Sequence, residues 1–118
     1  WIKGEDMLNK DELPACPVAT TVGLIGNKWK PLILRDLLKG AQRFKYLQFG
    51  IEGISPKVLT ENLRQMEDDG LVKREIFPEV PLRVEYSLTE LGQRMKPIID
   101  ALAKFGNEYK EIIKNKSL

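Results

Sequence analysis

The side chains able to do chemistry in this chain are few, and their types narrow the field at once. Its 118 residues include no histidine and one cysteine, Cys16. Triads with a histidine base, His-ligated metals and Cys-cluster zinc sites are thereby excluded. No catalytic residue, metal ligand or cofactor is expected, and an enzyme is the wrong class. What remains is cation and hydroxyl chemistry suited to phosphate: Arg43 and Lys45, then Ser55, Lys57, Thr60 and Arg64, then Arg83. Residues 27–50 carry six basic side chains, Lys28, Lys30, Arg35, Lys39, Arg43 and Lys45, against the single acid Asp36. The formal charge of the whole chain is only +2, so the excess is local and could draw a polyanion. A solvated helical face would give the same pattern. Glu67, Asp68 and Asp69 crowd together as metal ligands do, but they fall at a helix C-terminus and read better as a solvated face.

These groups need elements to hold them. Residues 1–13 are polar without a sustained period and read as a flexible arm. The rest, 14–118, reads as one domain. Pro17 suits the first position of a helix running to about Leu24, which puts Cys16 at or beside its N-cap. Asn27 is a plausible cap for a second helix, with Pro31 in its first turn and Trp29, Ile33 and Leu37 along its inner stripe. Gly40 ends it. A short third helix follows from about Arg43, with Phe44 and Leu47 apolar. Ser55 and Pro56 then form a strong start signal for a fourth helix. Leu59, Leu63 and Met66 turn inward there, while Lys57, Glu61, Arg64 and Asp68 share the opposite face with Thr60 at its shoulder. Gly70 is its stop.

Two short segments rich in β-branched and aromatic residues follow, Leu71–Phe77 and Arg83–Leu88. They flank Pro78-Glu79-Val80-Pro81, which predicts a hairpin with a protruding, proline-stiffened tip. Thr89 caps a final helix whose apolar positions Leu91, Met95, Ile98, Leu102, Phe105, Tyr109 and Ile112 recur with period 3.5, the spacing of paired helices. Pro97 should kink or split it near Lys96. The longest strictly apolar run is three residues, as in Leu32–Ile33–Leu34, so neither a transmembrane helix nor a signal peptide is expected and the cytoplasm is the expected compartment. The sequence opens on Trp1 rather than Met, which leaves room for further native residues upstream.

A helix-turn-helix followed by a two-stranded hairpin is a winged helix, mainly α with a small β wing. The ordered stretches CPVATTVGLIGNKWKPLILRDLLKG, RFKYL, ISPKVLTENLRQMEDDGLVKRE and PEVPLRVEYSLTELGQRMKPII resemble the HxlR-type winged helix-turn-helix regulators, a MarR-like family. The match runs from Cys16 to Ile99 in order and spacing. Leu82 stands where a second wing proline is common, Met66 where leucine is frequent, and Gln48–Phe49 replace a basic pair. The last change removes charge from the helix before the turn. The resemblance implies a dimeric DNA-binding transcription regulator that sets the helix from Ser55 in the major groove and the wing near the adjacent minor groove or backbone. It also implies a sensing role for Cys16, since some members use a cysteine there to detect oxidants or electrophiles. With one thiol per chain, the reversible products are an intersubunit disulfide or a mixed disulfide with a small thiol. An inert thiol packed near an interface is the alternative.

Within that frame each candidate has a role. Arg64 could read guanine bidentately, while Lys57 and Ser55 position the backbone beside the helix N-terminus. Thr60 is a further contact. Glu61 either accepts from cytosine or pairs with Lys57 four residues back. Arg43 and Lys45 are placed to clamp phosphate, Arg83 is the wing candidate, and of the alternating Lys73 and Arg74 only one can face DNA. Val18 and Val22 on the first helix, with Ile98, Leu102, Phe105, Tyr109 and Ile112 on the last, are expected to meet a second copy. Two-fold symmetry would then set two reading helices about 34–36 Å apart on a pseudo-palindromic operator. A small-molecule effector stays open, as does a rival class, a winged helix used for protein contact without specific DNA binding.

Overall fold

A computed structural model describes residues 13–116. All but the last residue of the arm expected over 1–13 lies outside them. Six helices and one hairpin follow: α1 Pro17–Ile25, α2 Lys30–Leu37, α3 Phe44–Gly50, α4 Pro56–Asp68, β1 Val72–Phe77, β2 Arg83–Leu88, α5 Glu90–Gln93 and α6 Lys96–Lys116. The mainly helical winged-helix architecture is the one expected.

Local chemistry explains the boundaries. The Asn27 side chain accepts from the backbone N–H of Trp29 and Lys30 at 2.8 and 2.9 Å, so it caps α2 although the helix itself opens only at Lys30. The Ser55 hydroxyl accepts from Val58 N at 3.2 Å and Pro56 occupies the first turn, as its sequence signal requires. At the far end of α4, Gly70 takes φ +81°, a conformation that favours glycine. Its N–H reaches the Glu67 carbonyl at 3.0 Å and that of Leu71 reaches Met66 at 2.9 Å, the paired bonds of a Schellman stop.

One core forms where α2, α3, α4 and the base of the hairpin meet. Ile33, Leu34, Leu37, Leu47, Ile51, Leu59, Leu63, Met66, Leu71 and Val72 are essentially inaccessible there. Each contributes roughly 1.5–3 kcal/mol by leaving water. Trp29, Phe44 and Tyr86 are half-buried against this core and are not free stacking platforms. α6 begins against α2 through Met95, Ile98 and Ile99 and then runs clear of the domain.

The hairpin is antiparallel, with Val72 opposite Leu88, Arg74 opposite Tyr86 and Phe77 opposite Arg83. A third chain segment, invisible as a strand in the sequence, joins it: Gln42 and Tyr86 exchange both backbone hydrogen bonds at 2.9 and 2.8 Å. One residue in extended form leaves no period-2 signal, which is why pattern alone misses it.

Two expectations need correction, the place of Leu91 in the apolar seam and the solvated face at the end of α4. The final helix splits beside Lys96, as Pro97 predicts. α5 ends at Gln93 and α6 opens at Lys96, with Pro97 in the first turn, where its missing N–H costs little. Leu91 therefore leaves the seam and is 45% exposed. The acids at the end of α4 are not a solvated face either: Glu67 is buried, and Asp68 and Asp69 are half-buried.

Burial raises the Asp69 carboxyl above its ordinary value of 3.8, against the opposing pull of the buried Lys30 ammonium; neighbouring Asp68 adds to the rise. A carboxyl raised on folding destabilises the native state as pH climbs through 3.8, and fully once pH exceeds the raised value. Asp69→Asn should therefore raise the thermal midpoint at neutral pH and lose that advantage below 3.8, read by circular-dichroism melts.

Candidate nucleic-acid interface

The candidate residues on α4 occupy one outward strip. Its inner face is spent on Leu59, Leu63 and Met66, which forces Lys57, Glu61 and Arg64 into solvent. Ser55 is exposed at the N-cap with its hydroxyl proton still available, so the start of the helix offers a positive dipole, a hydroxyl and Lys57 together. Thr60 is half-buried and donates to the Pro56 carbonyl at 2.8 Å, which leaves its lone pairs and methyl facing outward. No ion pair joins Lys57 to Glu61 among the described residues.

α4 is held from below as well as by its apolar face. Asn62 is buried, donates to the Val58 carbonyl at 2.8 Å and accepts from Asn27 Nδ2 at 2.8 Å. The residue that caps α2 thus also fixes the rotation of α4. The spacing of Asn27 and Asn62 carries no sequence signal for that pairing.

The basic segment at 27–50 shrinks once partners are counted. Arg35 Nε donates to the buried Asp36 at 2.8 Å and its Nη2 reaches the Gly50 carbonyl at 3.0 Å, tying α2 to the end of α3. Lys39 lies 3.7 Å from the same carboxylate, Lys30 is buried, and Lys28 sits 4.4 Å above the Trp29 ring. Arg43, the N-cap of α3, and Lys45 remain exposed, both on the helix that precedes the turn. The local charge excess is real in the sequence, but in the fold much of it is structural.

The wing changes most. Arg83 donates to the Glu79 carboxylate from Nε and Nη2 at 3.1 and 2.7 Å, and from Nη1 to Glu85. Its guanidinium also lies 3.7 Å from the Phe77 ring centroid. The Glu79 carboxyl is held below its ordinary value by that hydrogen bond. Arg83 therefore closes the wing on itself instead of presenting a free cation. The strand alternation separates the two other wing cations: Arg74 shares a face with Tyr86, and Lys73 points the other way. Between α4 and the wing lies a groove of about 510 Å³, with Thr60, Arg64, Glu67 and Asp68 on its helix wall and Arg74 and Tyr86 on its wing wall. Burial raises the Tyr86 phenol above its ordinary value, with the Arg74 guanidinium pulling the other way and Glu67 adding to the rise.

The order of parts, a capped helix with an outward cationic strip, a turn and helix in front of it, and a hairpin beside it, is that of a winged helix-turn-helix, and comparison with known proteins decides which. Residues 24–114 match the HxlR-like helix-turn-helix family. The chain belongs to that family. An HTH-type transcriptional regulator of Methanothermobacter thermautotrophicus is 45% identical over 106 residues, spanning 90% of this chain and 79% of the relative. The regulator YdeP of Bacillus subtilis is 40% identical over 105 residues, covering 89% and 82% respectively. Among solved structures, the redox regulator HypR in its reduced form superposes with a TM-score of 0.79 at 35% identity, over 85% of this chain and 99% of that one. The reduced form of the transcriptional regulator YodB from B. subtilis gives 0.70 at 32% identity, over 81% and 95%. This HxlR-like chain is a helix-turn-helix transcriptional regulator, and α3 and α4 are its helix-turn-helix pair.

The remaining candidates lie away from that pair. Cys16 is exposed at the N-cap of α1, and its side chain makes no capping bond. Val18 and Val22 are exposed on α1, which has no buried residue at all. Leu102, Phe105, Tyr109 and Ile112 are each at least half exposed along α6, with Phe105 and Tyr109 rings 6.4 Å apart. Ile98 is different: it packs against the core of its own domain. Among the described residues no group of His, Cys, Asp and Glu could hold a metal ion, and no helix is long and apolar enough to cross a membrane.

Proposed function

We propose that this HxlR-like regulator acts in the cytoplasm as a homodimer that binds a pseudo-palindromic operator sequence-specifically and has no catalytic activity. The observation that carries the DNA reading is the outward strip of α4, where a capped helix N-terminus, Lys57 and Arg64 stand clear of the core, with no salt bridge to Lys57 or Arg64 among the described residues. Lys57 and Ser55 hold phosphate, Arg64 and Thr60 address base edges, and Arg43 and Lys45 flank them on α3.

The second copy follows from apolar surface without cover. A monomer would leave Val18, Val22, Leu102, Phe105, Tyr109 and Ile112 in water along two helices, a contiguity that marks association. α1 and the free length of α6 pack against their copies, and the symmetry axis sets the spacing of the two α4 helices. Cys16, exposed at the head of α1, is the candidate sensor. The existence of reduced and oxidised forms of HypR supports a redox response here, delivered by a disulfide between subunits or with a small thiol. A signal acts only if it binds or modifies the two states of the dimer with different free energies.

Fluorescence anisotropy on the duplex upstream of its own gene, against a scrambled copy and across a salt series, tests the whole assignment. Salt-sensitive binding that prefers the upstream duplex is expected; absence of binding even at low salt would favour the protein-contact alternative. Arg64→Ala should relax base preference and cost about 1–3 kcal/mol, whereas Lys57→Ala should weaken both duplexes alike and flatten the salt dependence by about one phosphate per subunit. Phe105→Asp, chosen because Ile98 supports its own domain, should yield monomers by light scattering; a persisting dimer would move the interface elsewhere. Mild oxidation should shift the DNA affinity of the native chain and leave Cys16→Ser unaffected.

A further inference from the structure

We infer that the wing grips DNA through Arg74 and not through Arg83: Arg74 stands across the groove from Arg64, between α4 and the hairpin, and holds a backbone phosphate of the duplex whose base edges Arg64 addresses. This inference rests on the DNA-binding reading above and names a contact that the sequence did not resolve.

Three independent features lead to it. Strand alternation puts Arg74 and its register partner Tyr86 on the groove side, with Lys73 on the opposite face. Arg83 is committed to Glu79 and Glu85 and stacked on Phe77, so a phosphate could take it only by breaking three charge-assisted hydrogen bonds. The outer wing compounds this: Glu75, Glu79 and Glu85 outnumber Lys73 and Arg83, and Glu75 stands directly opposite Glu85, so that face does not favour a polyanion. The groove sets Arg74 on the wing wall opposite Arg64 on the helix wall, so a duplex addressed by Arg64 carries its backbone past a guanidinium suited to phosphate.

Glu67 and Asp68 on the α4 wall balance the two arginines in charge. The groove accordingly does not concentrate small free anions; the phosphate has to be delivered by a duplex already anchored on α4. Tyr86 is a positioning residue, its ring packed on the core and its hydroxyl against Arg74. Arg83 is a stiffener of the wing.

The test is the salt dependence of binding to the upstream and scrambled duplexes for the full chain and single variants. Arg74→Ala should weaken both duplexes alike and lower the salt slope by about one phosphate per subunit. Arg83→Ala and Lys73→Ala should leave the slope unchanged. Tyr86→Phe should weaken binding while keeping the slope, since the charge stays. Arg74→Lys should retain the slope yet bind less tightly, because the bidentate geometry is lost. If Arg74→Ala does not fold, Arg74→Gln carries the measurement. An unchanged slope in the Arg74 variants, or a lowered slope in Arg83→Ala, overturns the inference. If the native chain binds with no salt dependence, it is the DNA reading itself that fails. Inorganic phosphate at concentrations that match the ionic strength should compete no better than chloride; selective competition would make the groove a free-anion site and also overturn the proposal.

Discussion

The fold turns on the contact between the end of α4 and the start of α5, because that contact sets the angle between α4 and the wing. Gly70 reverses the chain at α4's end, and Leu71 leaves into β1 with its carbonyl accepting from Thr89 N at 3.0 Å. The Thr89 hydroxyl donates to the Gly70 carbonyl at 2.6 Å and accepts from Gly92 N at 3.0 Å, so one side chain both caps α5 and latches it to the turn. Gly92 lies so close to that turn that a Cβ would fall 2.1 Å from the Leu71 oxygen. The two ends of the hairpin are thereby pinned to one point, and the wing can only project outward from it. The S-L-T-E-L-G run is thus a mechanical joint, in which the glycine is required by approach and the threonine by hydrogen bonding.

Charge in this protein divides into cations that brace the fold and cations left on the surface. Arg35 and Arg83 each satisfy carboxylates and brace a junction, one between α2 and α3, the other within the wing. Lys30 is buried beside the acids at the end of α4. Cations on α3 and α4 are left outward because the inner faces of those helices are taken by apolar contacts. A net charge of +2 is therefore a poor guide to this surface. The electrostatic footprint is a strip along one helix with contributions from its neighbours, and the outer wing is acidic.

The terminal helices stand apart energetically from the rest. α1 buries no residue and α6 buries one, Ile99, at its attached end. Helices of this kind owe little of their stability to the domain they extend from. The domain needs Met95, Ile98 and Ile99 to close its core; beyond them Leu102, Phe105, Tyr109 and Ile112 stay exposed along α6. Asn27, two residues beyond α1, caps α2 and also holds Asn62 on α4, so one side chain ties the start of α2 to α4.

The sequence alone determined the elements whose signals are local. Pro17, Ser55-Pro56, Gly70 and Thr89 mark helix starts and stops, and the stripes along α2 and α4 name the core, because capping and periodicity act over a few residues. The family pattern lay in the same ordered motifs, and the outward strip of Lys57, Glu61 and Arg64 follows from a 3.6-residue turn once the inner face is known. Tertiary structure alone decided which charges are free. Whether Arg83 or Arg74 is available depends on strand register and on carboxylates brought together by folding, and the burial of Glu67 depends on the wing folding back over α4. The Gln42 bridge and the Asn27–Asn62 bond likewise join residues far apart in the chain. Local sequence specifies backbone conformation through short-range sterics and hydrogen bonds, whereas the partner of a long polar side chain is settled only by the packing that brings distant segments within reach.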